Sequence, residues 1–108
     1  MSEQQFANML GLAKRAGALV TGHDACLAQV RAGKAALALV ARDTGANAMK
    51  KYHDKCKHYK VPLIEVLDKI SLGQAVGKPH SAIVVVTESG FAKRIRQLAG
   101  ENAGGDAQ

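Results

Sequence analysis

Aromatic residues are scarce in this chain of 108 residues, where they make up 4% of the sequence and tryptophan is absent. Proteins that bind single-stranded nucleic acid by stacking its bases need several exposed aromatic rings. The composition therefore argues against a stacking platform of the kind that RNA-recognition sheets and oligonucleotide-binding barrels carry.

Long apolar runs are also missing, and no N-terminal segment joins positive charge to an apolar stretch as a secretory signal does. We therefore expect no membrane association, and we expect a cytoplasmic protein. The two cysteines, Cys26 and Cys56, both occupy apolar helix positions. Two free, buried thiols are expected, and a disulfide framework is not.

What the chain does have is apolar content for one core and an excess of positive charge. Hydrophobic residues make up 47% of the sequence, which is enough for a single domain over residues 1–99. The nine residues from Gly100, GENAGGDAQ, have nothing to bury, so residues 100–108 are expected to be a disordered tail. The 15 Lys and Arg against 9 Asp and Glu give a net charge of +6, which favours polyanions such as nucleic acid.

The segment Leu19–Asp43 predicts the smallest α/β unit that can present a helix N-terminus. A short apolar strand breaks at Thr21–Gly22, an amphipathic helix covers His23–Ala32, and an unbroken apolar strand covers Leu37–Ala41. The exposed helix face should carry Asp24, Ala28 and Arg31, with unpaired N–H groups at its tip. Such a tip favours an anion, or Asp24 itself satisfies those donors.

Helix-period and strand-period segments alternate along the rest of the chain, which predicts an α/β fold with three layers, an α/β/α sandwich. The pattern predicts helices at Gln4–Ala16 and Asn47–Tyr59, a short helix capped by Ser71, a final helix starting at a Ser89 cap, and strands at Val61–Val66 and Ala82–Val86. Pro62 confines its strand to a strand start or a sheet edge.

Three short motifs that suggest catalysis or metal binding fail on inspection. Asp43–Thr44–Gly45 is the aspartic-protease triplet, but that fold is entirely β. GQAVGK, from Gly73 to Lys78, has one residue too few for a phosphate-binding loop and lacks the Ser or Thr after its lysine. His53 and Cys56 stand three residues apart without further convergent ligands. We expect no catalytic residues, no metal and no cofactor.

Five lysines line the predicted third helix and its end, and they admit two interpretations. They form either a phosphate-binding stripe or a solvated helix face, with Asp54 pairing to Lys57 or His58. The lysines are Lys50, Lys51, Lys55, Lys57 and Lys60.

Five segments in series resemble the kink-turn-binding ribosomal proteins, the "L-seven-Ae" superfamily, and most closely its bacterial YlxQ-like branch. They are MLGLAKRAGALVTG, AGKAALALVARD, KCKHYKVPLIEV, LGQAVGK and VVVTESGFAKRI, which begin at Met9, Ala32, Lys55, Leu72 and Val84. The resemblance implies the same sandwich with a mixed four-stranded sheet. It also implies that the third helix lies off the main RNA surface, which favours the solvated-face interpretation.

In that family, the turn after the first strand and the following helix face read the sheared G·A pairs of a bent RNA. The loop before the last strand packs on a flipped-out nucleotide. The family's glycine falls on Gly22, whereas its Asn, Glu and Lys fall on Asp24, Ala25 and Ala28, which are departures. Asp lacks the amide donor of Asn, and alanine offers no hydrogen bond.

The resemblance and the basic loops together predict one RNA-binding surface. Its residues are Gly22, His23, Asp24, Ala28, Arg31, Lys34, Arg42, Lys78, His80 and Ser81. The alternative is that these are ordinary loop and helix-end residues, with Gly22 required by the turn and Arg31 favourable at its helix C-terminus.

The sequence therefore predicts a non-enzymatic, monomeric, ribosome-associated protein that recognises kink-turn or ribosomal RNA, its protein partners being unknown. The first alternative is a protein-interaction module on the same fold, which the departures at Asp24, Ala25 and Ala28 favour. The second is the recognition domain of a larger RNA-modifying enzyme.

Overall fold

Residues 3–102, which the computed structural model describes, form five helices joined to four strands. They follow the order α1 (Glu3–Arg15), β1 (Leu19–Thr21), α2 (His23–Arg31), β2 (Leu37–Val40), α3 (Ala46–His58), β3 (Leu63–Glu65), α4 (Lys69–Ala75), β4 (Ile83–Val86) and α5 (Ser89–Asn102).

The strands form one mixed sheet in the order β1-β4-β2-β3. Strand β4 runs antiparallel to both of its neighbours, β1 and β2, and β3 is parallel to β2 at one edge. Val40 lies opposite Ile83 and beside Glu65, and Thr21 lies opposite Val84. Strands β1, β2 and β3 therefore end at the same end of the sheet, where β4 begins.

Alternating side chains of the two central strands enter two separate cores, as the period of a strand requires. Leu39 and Val84 pack with helices α1, α4 and α5, whereas Val40 and Val85 pack with α2 and α3. Every residue of β2 and β4 is buried. The three-layer α/β/α sandwich with a mixed four-stranded sheet is confirmed, and Pro62 does precede an edge strand.

Several local features differ from the sequence prediction. Helix α4 begins at Lys69 and is capped by Asp68, whose carboxylate accepts from the Ser71 N–H at 2.7 Å, so Ser71 is not the cap. This hydrogen bond holds the pKa of Asp68 below its usual value. At helix α5 the capping acceptor is likewise Glu88, which accepts from the Phe91 N–H at 2.8 Å.

Two further differences concern α3 and the end of the chain. Asp54 pairs with Lys50 at 2.6 Å, and this exposed pair replaces the predicted partners Lys57 and His58. Helix α5 continues to Asn102 and so includes the first three residues of the segment 100–108 that was predicted to be a tail. The rest of that predicted tail, residues 103–108, lies outside the described residues.

Candidate nucleic-acid interface

The end of the sheet where β1, β2 and β3 finish gathers most of the predicted site; we call it the Gly22 edge. It carries Gly22, His23 and Asp24 after β1, Arg42 after β2, and the 77–81 loop that leads into β4. Residues from three separate parts of the sequence therefore meet at one edge, as a recognition surface requires.

At the Gly22 edge, the first turn of helix α2 has no side-chain cap. Gly22 occupies the N-cap position with φ 96° and ψ 140°, and no side chain among residues 3–102 caps the first-turn N–H groups. The Asp24 side chain in this first turn is fully exposed to solvent and forms no capping hydrogen bond. The N-terminal N–H groups and the positive end of the helix dipole are thus open to an external acceptor.

His23 joins the start of helix α2 to the middle of helix α3. Its Nδ1 lies 2.8 Å from the hydroxyl oxygen of Tyr52, and the two ring centroids are 5.5 Å apart. The His23 side chain is 44% exposed, whereas Tyr52 is buried. One side of the imidazole is therefore held in place while the other faces solvent. Tyr52 is not predictable as the partner of His23 from the sequence, because the two residues lie 29 positions apart.

The thiol of Cys26 fixes helix α2 against the sheet and is not a nucleophile. Its Sγ lies 3.2 Å from the Val20 carbonyl oxygen, and the residue has no exposed surface. Burial raises the pKa of this thiol from 9.0 to about 12. Burial also raises the pKa of Cys56. The expectation of two free, buried cysteines is confirmed.

The raised pKa of Cys26 predicts that the protein loses stability at alkaline pH. The folded chain holds the thiol proton more tightly than the unfolded chain, so this contribution is complete below pH 9 and is lost between pH 9 and about 12. The free energy of unfolding should fall by about 1.4 kcal/mol per pH unit in this range from Cys26 alone. Urea titrations from pH 8 upward measure the slope. A Cys26→Ala variant should show a shallower slope, and an equal slope would contradict the assignment.

Arg42 and Asp43 have different roles although they are adjacent. The Arg42 side chain is exposed, while its N–H donates to the Leu67 carbonyl at 2.9 Å. The Asp43 carboxylate accepts from the Lys69 N–H at 2.9 Å and thereby holds the start of helix α4. Arg42 is therefore available to a ligand, and Asp43 is a structural residue.

The 77–81 loop lies directly against helix α4. A Cβ atom added at Gly73 would stand 2.5 Å from the His80 Cα, which only glycine permits. Lys78 and His80 are exposed. Ser81 is buried, and its hydroxyl donates to the Ile83 carbonyl at 3.1 Å. The Ser81 side chain therefore supports the loop and is buried, whereas the sequence prediction placed it on an exposed RNA-binding surface.

Two other predicted site residues do not lie at the Gly22 edge. Helix α2 runs away from that edge, so Arg31 in its last turn and Lys34 beyond it reach the opposite end of the sheet. Lys34 there lines a groove with Thr87 and Ser89. Ala28 is exposed between the two ends. The structure therefore does not bring Arg31 and Lys34 together with Gly22, and the predicted RNA-binding residues are divided between two ends of the sheet.

Within residues 3–102, no three His, Cys, Asp or Glu side chains converge as a metal site would need. His53 instead pairs with Glu65, with Nε2 and Oε2 2.9 Å apart on the protein surface. In the same part of the chain, no helix combines the length and the apolar character needed to cross a membrane.

Comparisons with known proteins agree with this architecture. The chain is 39% identical over 98 residues to the RNA-binding protein YlxQ of Bacillus subtilis, a match that covers 91% of this chain and 98% of that protein. It is 38% identical over 97 residues to the RNA-binding protein YlxQ of Enterococcus faecium, with 90% of this chain and 93% of that protein covered.

Solved structures show the same fold. A protein of unknown function from Bacillus halodurans superposes with a TM-score of 0.82 at 33% identity, covering 86% of this chain and 94% of that one. The Giardia lamblia 15.5kD RNA binding protein superposes with a TM-score of 0.73 at 20% identity, covering 92% and 85%. Residues 4–96 also match the ribosomal protein L7Ae/L30e/S12e/Gadd45 family. With this match over most of its length and YlxQ proteins among its relatives, the chain is a YlxQ-like member of the L7Ae/L30e/S12e/Gadd45 family.

Proposed function

We propose that this protein binds structured RNA without catalysing a reaction, and that it recognises a kink-turn-like bend through the Gly22 edge. The observation that carries the proposal is the uncapped start of helix α2, whose first-turn N–H groups have no side-chain acceptor in the described part of the chain. Two relatives bear the name RNA-binding protein, and the family description is that of ribosomal proteins. We therefore also expect it to act in the cytoplasm in association with ribosomal RNA.

The proposed mechanism is recognition of RNA shape. The open N-terminus of helix α2 enters the widened groove at the bend, and its N–H groups donate to acceptors on the RNA. Arg42 and Lys78 contact phosphates on either side, and the exposed tip of the 77–81 loop covers an extruded nucleotide. Asp24 accepts hydrogen bonds from a guanine edge.

The test compares a kink-turn RNA with the same RNA after its G·A pairs are replaced by Watson–Crick pairs. The wild-type protein should bind the kink-turn at least about tenfold more tightly, a difference of about 1.4 kcal/mol. Gel-shift titrations at physiological salt measure both affinities. Equal affinities would show that only charge attraction operates at this edge.

The exposed alanine at position 28 gives a second, sharper prediction. Ala28→Lys places a cation one turn after Asp24 on the open face of helix α2 and gives Asp24 an i, i+4 partner. One added phosphate contact should steepen the dependence of log affinity on log salt by about 0.7 to 0.9. Affinity for the kink-turn RNA should rise, most visibly at low salt.

A matched control is Asn8→Lys, which adds the same charge on helix α1, packed on the other face of the sheet. Its effect on the salt slope should be small. If both substitutions steepen the slope equally, the added charge acts from anywhere on the protein and the face of α2 is not the contact surface.

One observation favours a second function, a protein-interaction module on the same fold. Ala25 and Ala28 are exposed beside Asp24, and they present an apolar strip where an RNA contact would need donors. In that case the kink-turn RNA and the RNA with replaced G·A pairs would bind with equal affinity, and the Ala28→Lys substitution would leave the RNA affinity unchanged.

A further inference from the structure

Two adjoining grooves cross the end of the sheet opposite the Gly22 edge. The first lies between the α2–β2 loop and the end of β4, and Lys34 and Thr87 line it. The second lies along helix α5, and Lys93 and Arg96 line it. Ala36 and Ser89 line both grooves, so the two are adjacent, and we call them together the Lys34 groove.

The Lys34 groove is positively charged, and its described lining residues include no carboxylate. Its charged lining residues are Lys34, Lys93 and Arg96, and the polar ones include Gln29, Ser89 and Gln97. All three cations are exposed, and none forms an ion pair with a described residue. The neighbouring Glu88 accepts from the Phe91 N–H at 2.8 Å and keeps its charge, so it offsets one of the three cations.

The Gly22 edge has a different charge balance. Asp24 is fully exposed there, and Asp43 and Asp68 cap the start of helix α4. These three carboxylates balance three cations, Arg42, Lys69 and Lys78, so the net charge of +6 is not concentrated at that edge. The cations of the Lys34 groove come from two elements far apart in the sequence, and they create the stronger attraction for a polyanion.

We propose that the Lys34 groove binds the phosphodiester backbone of RNA as a second contact surface, separate from the Gly22 edge. Lys34, Lys93 and Arg96 face successive phosphates, while Gln29, Ser89 and Gln97 donate hydrogen bonds to phosphate and sugar oxygens. No aromatic side chain lines the groove, so binding there is independent of base sequence. This second proposal rests on the proposed function in one respect, which is that RNA is the ligand.

The position of the groove gives this second surface a distinct role. Helix α2 spans the distance between the two ends of the sheet, and its nine residues correspond to about 13 Å of helix. An RNA segment in the Lys34 groove therefore does not compete for the N-terminus of α2. One protein molecule therefore binds two RNA segments. The Gly22 edge recognises the shape of one segment, and the Lys34 groove binds the phosphate charge of the other.

The test uses two triple variants of the full chain with the same change in charge. The groove variant combines Lys34→Gln, Lys93→Gln and Arg96→Gln. The control combines Lys51→Gln, Lys57→Gln and Lys60→Gln, at exposed positions on helix α3 and just after it. Affinity for an unstructured single-stranded RNA is measured across a salt series, with melting temperatures recorded to show that all proteins are folded.

The groove variant should lower the slope of log affinity against log salt by about 2, because each lost phosphate contact accounts for about 0.7 on single strands. The control should lower it by less than half as much. Equal reductions would overturn the proposal in favour of net charge alone, and an unchanged slope in the groove variant would overturn it directly.

A second measurement separates this proposal from the proposed function. Wild-type protein saturated with kink-turn RNA should still bind labelled single-stranded RNA. The groove variant should no longer bind the single strand, but it should keep its preference for the kink-turn. One result would contradict the proposed function and support the groove proposal. In it, the wild type shows no preference for the kink-turn, but the slope of log affinity against log salt is still lower for the groove variant than for the control. If the kink-turn RNA displaces the single strand completely, the two surfaces are one and the groove proposal fails.

Discussion

Replacing Gly22 with alanine is expected to lower the free energy of unfolding by about 1 to 3 kcal/mol and to weaken RNA binding strongly. Gly22 has φ 96° and ψ 140°, a conformation that a side chain with a Cβ atom rarely adopts. Apart from its two chain neighbours, no described residue has a heavy atom within 4 Å of a Cβ built there, so the cost comes from the backbone and not from a clash. Relief of that strain has to rotate the start of helix α2, which is the proposed RNA contact.

Gly45→Ala is the matched control, because Gly45 is the N-cap residue of helix α3 just as Gly22 is that of helix α2. Its φ of −58° and ψ of 152° suit any residue, and a Cβ there also meets nothing within 4 Å. The control should change the free energy of unfolding by no more than about 1 kcal/mol. Urea unfolding and gel-shift titration of the kink-turn RNA measure both variants. Equal losses of stability would show that the φ of Gly22 is not what demands glycine.

Replacing Gly73 with alanine should displace the 77–81 loop and reduce RNA affinity by an order of magnitude or more, about 1.4 kcal/mol in binding free energy. The added Cβ would lie 2.5 Å from the His80 Cα and 2.7 Å from its backbone C and N atoms. These are backbone atoms that cannot rotate away, so the loop or helix α4 has to move. Overpacking of this kind costs about 1 to 3 kcal/mol of stability, partly offset by the better helix propensity of alanine.

Helix α1 offers the control, Gly11→Ala, which is also a glycine inside a helix. The nearest atom to its added Cβ is the Ala75 carbonyl oxygen at 3.8 Å, an ordinary contact distance. This variant should be neutral or more stable by about 0.5 to 1 kcal/mol. Thermal unfolding, the amide chemical shifts of residues 77–81 and RNA affinity are measured for both. If Gly73→Ala leaves the shifts and the affinity unchanged, the loop is not part of the RNA surface.

Much of the fold could be predicted from local pattern. The all-apolar runs around Leu39 and Val85 predicted two strands covered on both faces, and both are fully buried. The apolar positions of the two cysteines predicted buried thiols, which the structure has. The ends of strands and helices were predicted less accurately than their presence. The side chain that caps a helix depends on backbone conformation, so Asp68 and Glu88 took the roles predicted for Ser71 and Ser89.

The candidate site was predictable only in part. An isolated glycine within a helix pattern, such as Gly73, is a usable sign of close packing, although its contact with His80 is not visible in the sequence. Lys93 and Arg96 carried no sequence signal beyond exposure on the final helix. The partnership of His23 with Tyr52 joins residues 29 positions apart, and nothing local specifies it.

The sequence by itself determined the order of helices and strands, the two-sided burial of the central strands and the family resemblance. These follow from the periodicity of apolar side chains, because that period reflects which residues of a helix or strand are buried and which are exposed. Tertiary structure alone decided which end of the sheet each basic residue reaches. Strand β4 pairs between β1 and β2, and helix α2 runs back across the sheet, so Gly22 and Arg42 share one end while Arg31 and Lys34 lie at the other. Strand pairing joins residues distant in sequence through backbone hydrogen bonds, and these are common to all side chains and leave no pattern in the sequence.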